Sequence, residues 1–186
     1  MSDLLIRQSL ESDVAAITAI YGKHVLSGTS SFELDAPSVA EIRRRRESIL
    51  ASGLPYFVAE CEGSVIGHAY AALYRPRPAY RFTVEDSIYL DPAYVGKGIG
   101  RRLLGELICA CERGHWLQMI AVIGDSANTA SIRLHEALGF CHAGVFRSVG
   151  WKFDRWLDTV LMQRALGAGD RESALQQQLN TLKRDD

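Results

Sequence analysis

A glycine-rich segment with three cations carries the clearest chemical signal in the sequence. It reads Tyr-Val-Gly-Lys-Gly-Ile-Gly-Arg-Arg from Tyr94 to Arg102, between a predicted strand and a predicted helix. Glycine permits tight turns and close approach to backbone amides, and the first amides of a helix lack internal partners at its positive dipole end. Such helix ends bind phosphate. The segment therefore predicts a phosphate site, and a turn that is rich in glycine for packing alone is the alternative.

The segment matches neither of two common nucleotide-binding motifs. A P-loop ends in Gly-Lys followed by Ser or Thr, but Gly100 is followed by two arginines. A dinucleotide fingerprint needs a glycine three residues after its second glycine, and here that position is Arg101. The phosphate ligand is therefore not indicated by either motif.

Glu85 lies in the middle of the predicted strand Thr83–Leu90. Side chains alternate along a strand, so Glu85 shares a face with Ser87 and Tyr89. Burial raises the pKa of a carboxyl group and makes it a better base near neutral pH. The pattern indicates a candidate general base, and a solvated sheet face is the alternative.

The predicted helix from Asn128 to Leu138 carries a narrow polar stripe. Asn128, Ser131 and His135 fall on one side at helical spacing, next to an apolar stripe. A polar stripe beside a core stripe is typical of a helix that lines a cleft. The alternative is a partly exposed helix face with Asn128 as its cap.

Hydrophobic periodicity and turn residues place these segments in a mixed α/β order of strand, two helices, three strands, helix, strand, helix and two strands. Ser12 or Asp13 is the predicted cap of the first helix. The order predicts one domain over residues 1–165, with a mixed sheet and helices on both faces, and a polar tail over 166–186. The predicted strands are Leu4–Gln8, Tyr56–Cys61, Val65–Leu73, Thr83–Leu90, Gln118–Ile123, Gly144–Trp151 and Trp156–Met162; the later helices are Pro37–Leu50, Gly98–Arg113 and Asn128–Leu138.

Composition limits the classes of partner. The chain has 186 residues and a formal net charge of -1, which argues against a protein that coats nucleic acid or anionic lipid. The run Arg43–Arg46 is flanked by glutamates and is interpreted as a solvated helix face. We see no signal-peptide or membrane-spanning pattern, and the four cysteines form no CxxC pair. We therefore expect a cytoplasmic protein with free thiols, no metal, and neither nucleic acid nor membrane as partner.

Taken together and in this order, the three signals resemble the Gcn5-related N-acetyltransferase (GNAT) superfamily. The family's cofactor signature, Arg/Gln-x-x-Gly-x-Gly/Ala, is matched by Val95–Gly100, with Val95 where Arg or Gln is usual. Asn128 and Leu138-Gly139-Phe140 match two further family features. The sequence also resembles the phosphinothricin and methionine sulfoximine/sulfone acetyltransferase subfamily, in the stretches Gly28–Phe32, Tyr74–Arg81, Thr83–Glu85, Ser131–Phe140 and Val149–Asp158.

The resemblance implies the acyl-CoA N-acyltransferase fold, with a mostly antiparallel central sheet, and acetyl transfer from acetyl-CoA to the α-amine of a small amino-acid analogue. It implies Glu85 as the base, and His135 as the acid for the leaving thiolate, as a second base, or as a pocket residue only. The implied cofactor-binding residues are Ile88, Tyr89, Leu90, Gly96, Lys97, Gly98, Ile99, Gly100, Arg101, Asn128 and Ser131.

A zwitterionic substrate also needs a partner for its carboxylate. Arg75 and Arg77 are candidates, because guanidinium binds carboxylate in a bidentate fashion. The side-chain pocket is assigned to Phe32, Tyr74 and Tyr80, with surface charge and core packing as the alternative for all five. The resemblance also implies a homodimer, with Trp151 and Trp156 as candidate interface residues and ordinary core packing as the alternative for both. Two other functions stay open: acetylation of a protein N-terminus or a polyamine, and a non-catalytic acetyl-CoA sensor.

Overall fold

The computed structural model describes residues 4–171 and 173, so most of the predicted tail lies outside the described residues. Within these described residues, seven strands form one sheet in the order β1-β2-β3-β4-β5-β7-β6. The strands are β1 (Leu4–Gln8), β2 (Tyr56–Cys61), β3 (Ser64–Leu73), β4 (Thr83–Leu90), β5 (Gln118–Gly124), β6 (Cys141–Lys152) and β7 (Arg155–Ala165). The helices are α1 (Val14–Ser27), α2 (Val39–Ala51), α3 (Ile99–Arg113) and α4 (Thr129–Ala137).

The predicted mixed and mostly antiparallel sheet is confirmed. Strands β4 and β5 pair in parallel because α3 connects them as a crossover, and the other neighbouring pairs are antiparallel. Helices cover both faces. On β2, Tyr56 and Val58 pack in the cluster that holds residues of α1 and α2, whereas Phe57 and Ala59 pack in the cluster that holds α3. Successive β2 side chains therefore belong to two separate cores.

Some predicted boundaries and contacts were wrong. Helix α2 begins at Val39 rather than Pro37, because the Ser38 hydroxyl accepts a hydrogen bond from the Glu41 amide and caps the helix there. In the described part of the chain, the N-cap residue of α1, Asp13, makes no side-chain capping hydrogen bond to that helix. The Asp13 carboxylate instead accepts hydrogen bonds from the Arg7 guanidinium and from the Leu10 amide, which hold a short 3-10 turn ahead of the helix.

The arginine run is only partly solvated. Arg43 and Arg44 are exposed; Arg44 pairs with the flanking Glu41, whereas Arg43 pairs with the distant Glu11. Arg46, by contrast, is 8% exposed and donates hydrogen bonds to both the hydroxyl and the carbonyl oxygen of Ser9. This position is a correction: a helix directs one of four consecutive residues toward the sheet. No helix in the described part of the chain is long and apolar enough to cross a membrane.

Candidate active site

The glycine-rich segment forms the turn into α3. Gly96 and Gly98 have φ values of 79° and 78°, in the left-handed region that other residues rarely adopt. Apart from the adjoining residues of the chain, no described residue has an atom within 4 Å of the position that a Cβ would take at either glycine. Because α3 begins at Ile99, the amides of its first turn have no partner within the helix. An anion can therefore approach this helix end directly.

Strands β4 and β5 separate just beside this turn. Their pairing ends at Asp86 and Ala121, and no other described strand pairs with the remainder of β4 on that side. The separation leaves a narrow space, here called the gap cavity, whose lining includes Ser30, Ser87, Tyr89, Val122, Asn128 and His135. The gap cavity exposes backbone groups of β4 that an unbroken sheet would have paired.

Backbone alternation determines which amides face the gap. The Asp91 amide donates to the Ile66 carbonyl on the β3 side, at 2.8 Å. Because the direction of N–H groups alternates along a paired strand, the amides of Ile88 and Leu90 point toward the gap and that of Tyr89 points toward β3. Two of the three predicted strand amides are thus available to a ligand.

A larger space of about 710 Å³ lies between the N-terminal ends of α3 and α4 and is called the α3–α4 cavity. Lys97 and Ile99 are outside its lining: the Lys97 ammonium lies over the Tyr94 ring, 4.7 Å from its centroid, and the Ile99 side chain is in the core. The predicted residues that line it are Ile88, Leu90, Gly96, Gly98, Gly100, Arg101, Asn128 and Ser131.

Asn128 both caps α4 and lines a cleft, as the two interpretations of the sequence suggested. Its side-chain oxygen accepts a hydrogen bond from the Ser131 amide at 3.2 Å, so it caps α4. It also lines both the gap cavity and the α3–α4 cavity. The cap fixes the orientation of the polar stripe toward the two cavities.

Glu85 lines a third space of about 380 Å³, called the Glu85 cavity, together with Tyr21, Phe32, Glu33, Ser87 and Tyr89. Burial and the neighbouring charge of Asp86 raise its pKa to about 7, while the charge of Arg75 acts in the opposite direction. A carboxyl group with this pKa can accept a proton near neutral pH and release it again.

His135 lies on the other face of β4 and is paired with Asp86. Its Nε2 is 3.1 Å from the Asp86 carboxylate and its Nδ1 is 2.7 Å from the Ser131 carbonyl oxygen. Both partners are acceptors, so both ring nitrogens donate. Burial alone would lower the pKa of His135, but the hydrogen bond and charge of Asp86 outweigh it and raise the pKa. The two acceptor contacts and the raised pKa both favour the imidazolium form of the ring.

The predicted substrate residues divide between two places. Phe32 lines the Glu85 cavity. Tyr74, Arg75, Arg77 and Tyr80 line a separate space of about 420 Å³, called the Arg75 cavity. The two spaces interact electrostatically, because the positive charge of Arg75 lowers the pKa of Glu85.

Comparison with known proteins identifies the family. The model of the acetyltransferase (GNAT) family matches residues 25–140. The chain is 57% identical over 165 residues to the phosphinothricin N-acetyltransferase of Alcaligenes faecalis, covering 89% of this chain and 84% of that protein. The chain belongs to the GNAT acetyltransferase family.

Two further relatives agree with this assignment. This chain is 39% identical over 163 residues to the L-methionine sulfoximine/L-methionine sulfone acetyltransferase of Salmonella typhimurium, and the match covers 88% of this chain and 95% of that protein. A GNAT superfamily phosphinothricin acetyltransferase from Sinorhizobium meliloti, solved in complex with AcCoA, superimposes with a TM-score of 0.89 at 48% identity over 92% of each chain. The predicted family and subfamily resemblance is confirmed.

The site of this acetyltransferase fits acetyl-CoA, its cosubstrate. A diphosphate needs amides and cations, which the first turn of α3 and Arg101 supply. The amide groups of the pantetheine arm need backbone partners, which the free amides of Ile88 and Leu90 supply. No group of three His, Cys, Asp or Glu side chains suited to a metal occurs among residues 4–171 and 173.

Helix α1 and the loop that follows it also contribute to the site, which the sequence did not indicate. His24 lines the α3–α4 cavity, and its Nε2 lies 2.7 Å from the Leu90 carbonyl oxygen, 66 residues away in sequence. Ser30 lines the same cavity. The Lys152 ammonium donates to the carbonyl oxygens of Gly28 and Ser31, at 2.9 and 2.7 Å, and so fixes the loop on β6. The spacing of residues along the chain does not predict contacts between segments so far apart. The run of small polar residues after α1 was the one sequence feature that could have indicated a role for this loop.

Proposed function

We propose that this acetyltransferase acetylates the α-amine of a small amino-acid analogue of the phosphinothricin, methionine sulfoximine or methionine sulfone type, and so detoxifies it. The observation that carries the proposal is Glu85, a carboxyl group whose pKa is raised to about 7 and which lines a cavity adjoining the β4–β5 gap. The names of the relatives described above supply the substrate class.

Glu85 acts as the general base in this proposal. A free amino acid enters as an ammonium, and only the neutral amine can attack a carbonyl carbon. Glu85 accepts the proton directly or through one water. Its raised pKa suits this task, because a base with a pKa near the working pH is present in its unprotonated form and still binds a proton well.

The opposite side of the gap holds acetyl-CoA. The amides of Gly96 to Arg101 bind the diphosphate, and the Ile88 and Leu90 amides bind the pantetheine arm, with Asn128 and Ser131 on its other side. Bound acetyl-CoA supplies a thioester carbonyl that an amine can attack. A β4 amide that donates to this carbonyl oxygen stabilises the charge that develops there.

We assign the substrate carboxylate to Arg75 and Arg77. Both side chains belong to exposed residues of the Arg75 cavity, and the Arg75 guanidinium lies over the Tyr74 ring, 5.0 Å from its centroid. Tyr74 and Tyr80 wall the same space, and Phe32 bounds the substrate on the Glu85 side. The charge of Arg75 at Glu85 supports a substrate that spans the two cavities.

For His135 we propose a positioning role. A general base needs a free lone pair, and both ring nitrogens of His135 are occupied as donors. The imidazolium neutralises Asp86 beneath the gap and holds β4 against α4.

We propose a homodimer that is formed through the β6 edge. This edge and the hairpin to β7 expose large apolar side chains, at Val145, Phe146, Val149, Trp151, Phe153 and Trp156. Trp151 and Trp156 contact each other edge-on, with centroids 5.2 Å apart. Light scattering at micromolar concentration is expected to give twice the chain mass of 20.6 kDa, and a W151E/W156E variant is expected to be monomeric. A wild-type monomer would contradict the dimer.

We also propose a cytoplasmic location, because Cys61, Cys109, Cys111 and Cys141 are free thiols in the structure.

A thiol-release assay with purified protein tests the function. Acetyl-CoA is offered with methionine sulfone, methionine sulfoximine and phosphinothricin, and in parallel with short peptides and spermidine. We expect the highest kcat/KM among the three analogues. Faster turnover of peptides or spermidine would overturn the substrate assignment. Acetyl-CoA binding without thiol release from any amine would identify a sensor instead.

A further inference from the structure

Ser30 lies where the three cavities meet. The gap cavity and the Glu85 cavity share several residues, and so do the gap cavity and the α3–α4 cavity. Ser30 is the one described residue that lines all three. Acetyl transfer requires the thioester and the amine to meet, and the junction of the cavities is where they can. Ser30 therefore lies at the place where the thioester and the amine would meet.

A histidine on α1 orients this hydroxyl. His24 Nε2 is 2.7 Å from the Leu90 carbonyl oxygen, which can only accept, so Nε2 carries a hydrogen. His24 Nδ1 is 3.1 Å from Ser30 Oγ. When the ring is neutral, Nδ1 accepts the hydrogen of the Ser30 hydroxyl. When the ring is protonated, Nδ1 donates to Ser30 Oγ and the hydroxyl hydrogen is free to point elsewhere.

We propose that Ser30 is the catalytic acid that protonates the sulfur of coenzyme A as it leaves, and that His24 resupplies its proton. The inference rests on the proposed function, because the thiolate forms only if an amine is acetylated. Two other ionisable side chains near the junction are less suited: both protons of the His135 ring are committed to Asp86 and Ser131, and Glu85, which lines the neighbouring Glu85 cavity, is required as the base.

All protons in the acetyl transfer are accounted for. Glu85 takes one proton from the ammonium before attack and a second from the same nitrogen after the C–N bond forms, and passes both to solvent. As the C–S bond breaks, its electron pair stays on sulfur. Ser30 Oγ gives its proton to that sulfur and receives the proton of His24 Nδ1. The neutral His24 regains a proton from solvent through the α3–α4 cavity, which it lines. Each turnover releases one proton.

Single-turnover acetylation of methionine sulfone tests Ser30. We expect S30A to lower the rate of transfer about 10²-fold, the scale of a lost general acid, with the Kd for acetyl-CoA by calorimetry within about threefold of wild type. S30T keeps a hydroxyl and is expected to regain most of the rate. S27A is the matched control: Ser27 is exposed and donates to the Lys23 carbonyl of its own helix.

Two further measurements separate proton donation from other roles. An oxygen ester in place of the thioester of acetyl-CoA has a far more basic leaving group, so S30A is expected to slow its transfer by a larger factor than the thioester. H24Q is expected to lower the rate of acetyl transfer by the same factor as S30A. The double variant is expected to lose no more of this rate than either single variant, because the two residues act as one unit.

The results that overturn the inference differ from those that overturn the function. A wild-type protein that acetylates no amine contradicts the proposed function. An active wild type with S30A within threefold of its rate removes Ser30 from the chemistry. An equal loss with both esters, or additive losses for H24Q and S30A, assigns the pair to binding rather than to proton transfer.

Discussion

Two adjacent carboxylates on β4 occupy opposite faces of the sheet and have opposite surroundings. Glu85 has no ion-pair partner among the described residues, and its pKa is raised to about 7. Asp86 is paired with the His135 imidazolium, at 3.1 Å, and both side chains are 3% exposed. Glu85 thus exchanges protons near neutral pH, whereas Asp86 is locked in an ion pair. The strand supplies both residues, and the packing on each face decides their chemistry.

The largest expected effect is on the Asp86 side. D86N leaves the buried His135 imidazolium without its counter-charge, and a broken buried pair costs about 3–5 kcal/mol of unfolding free energy. Because the pKa of His135 is raised in the fold, the pair contributes fully below the ordinary value of 6.5 and less as the pH rises through the folded-state pKa. Urea unfolding at pH 6 measures the loss.

The chain provides a matched control for this prediction. His142 and Glu136 form a similar pair at 3.2 Å, but with side chains 51% and 48% exposed. E136Q is expected to lower the free energy of unfolding by less than about 1 kcal/mol. A D86N variant as stable as E136Q would remove the distinction between the two faces.

The next largest effect is on the rate. E85Q keeps the shape of the side chain but cannot accept a proton, so kcat is expected to fall about 10²-fold or more. In the wild type, kcat/KM should rise with pH through about 7, because Glu85 must be unprotonated to act. Steady-state assays from pH 5 to 9 measure both effects. Unchanged turnover in E85Q, or a flat wild-type profile, would exclude Glu85 as the base.

A smaller effect is expected on the KM for the amine substrate, separately from acetyl-CoA binding. A Cβ at Gly150 would overlap the ring of Phe32, which lines the Glu85 cavity. G150A is expected to raise the KM for the amine about 10-fold, within the range for overpacking, with the Kd for acetyl-CoA unchanged. G144A is the control on the same strand, since no described residue other than its chain neighbours has an atom within 4 Å of its Cβ position. Equal effects of the two variants would contradict the role of Phe32.

The smallest effect is on stability. The pKa of Glu85 rises from 4.5 to about 7 on folding, so the wild type loses stability as the pH increases through that interval. Glutamine has no charge to desolvate. E85Q should therefore gain on the order of 1 kcal/mol over wild type at pH 8 and close to nothing at pH 4.5. Thermal melts at the two pH values measure this difference, and a constant offset would argue against a buried Glu85 charge.

Local features of the chain could be predicted well. The glycine turn, the α4 cap at Asn128 and the face of Glu85 follow from residue type and short periodicity, because they depend on neighbours within about one helical turn or one strand. The family motifs lie in the same short segments. Boundaries were less accurate where a competing contact decided them, as at Ser38, whose hydroxyl begins α2.

The tertiary structure decided which distant residues share a cavity. It paired His135 with Asp86 rather than with Glu85, separated Arg75 from the Glu85 cavity, and brought Ser30 to the junction of three cavities. These outcomes depend on the point at which β4 and β5 separate and on how α1 packs across the sheet. No local preference encodes such contacts, because they form only when elements far apart in the chain are packed together.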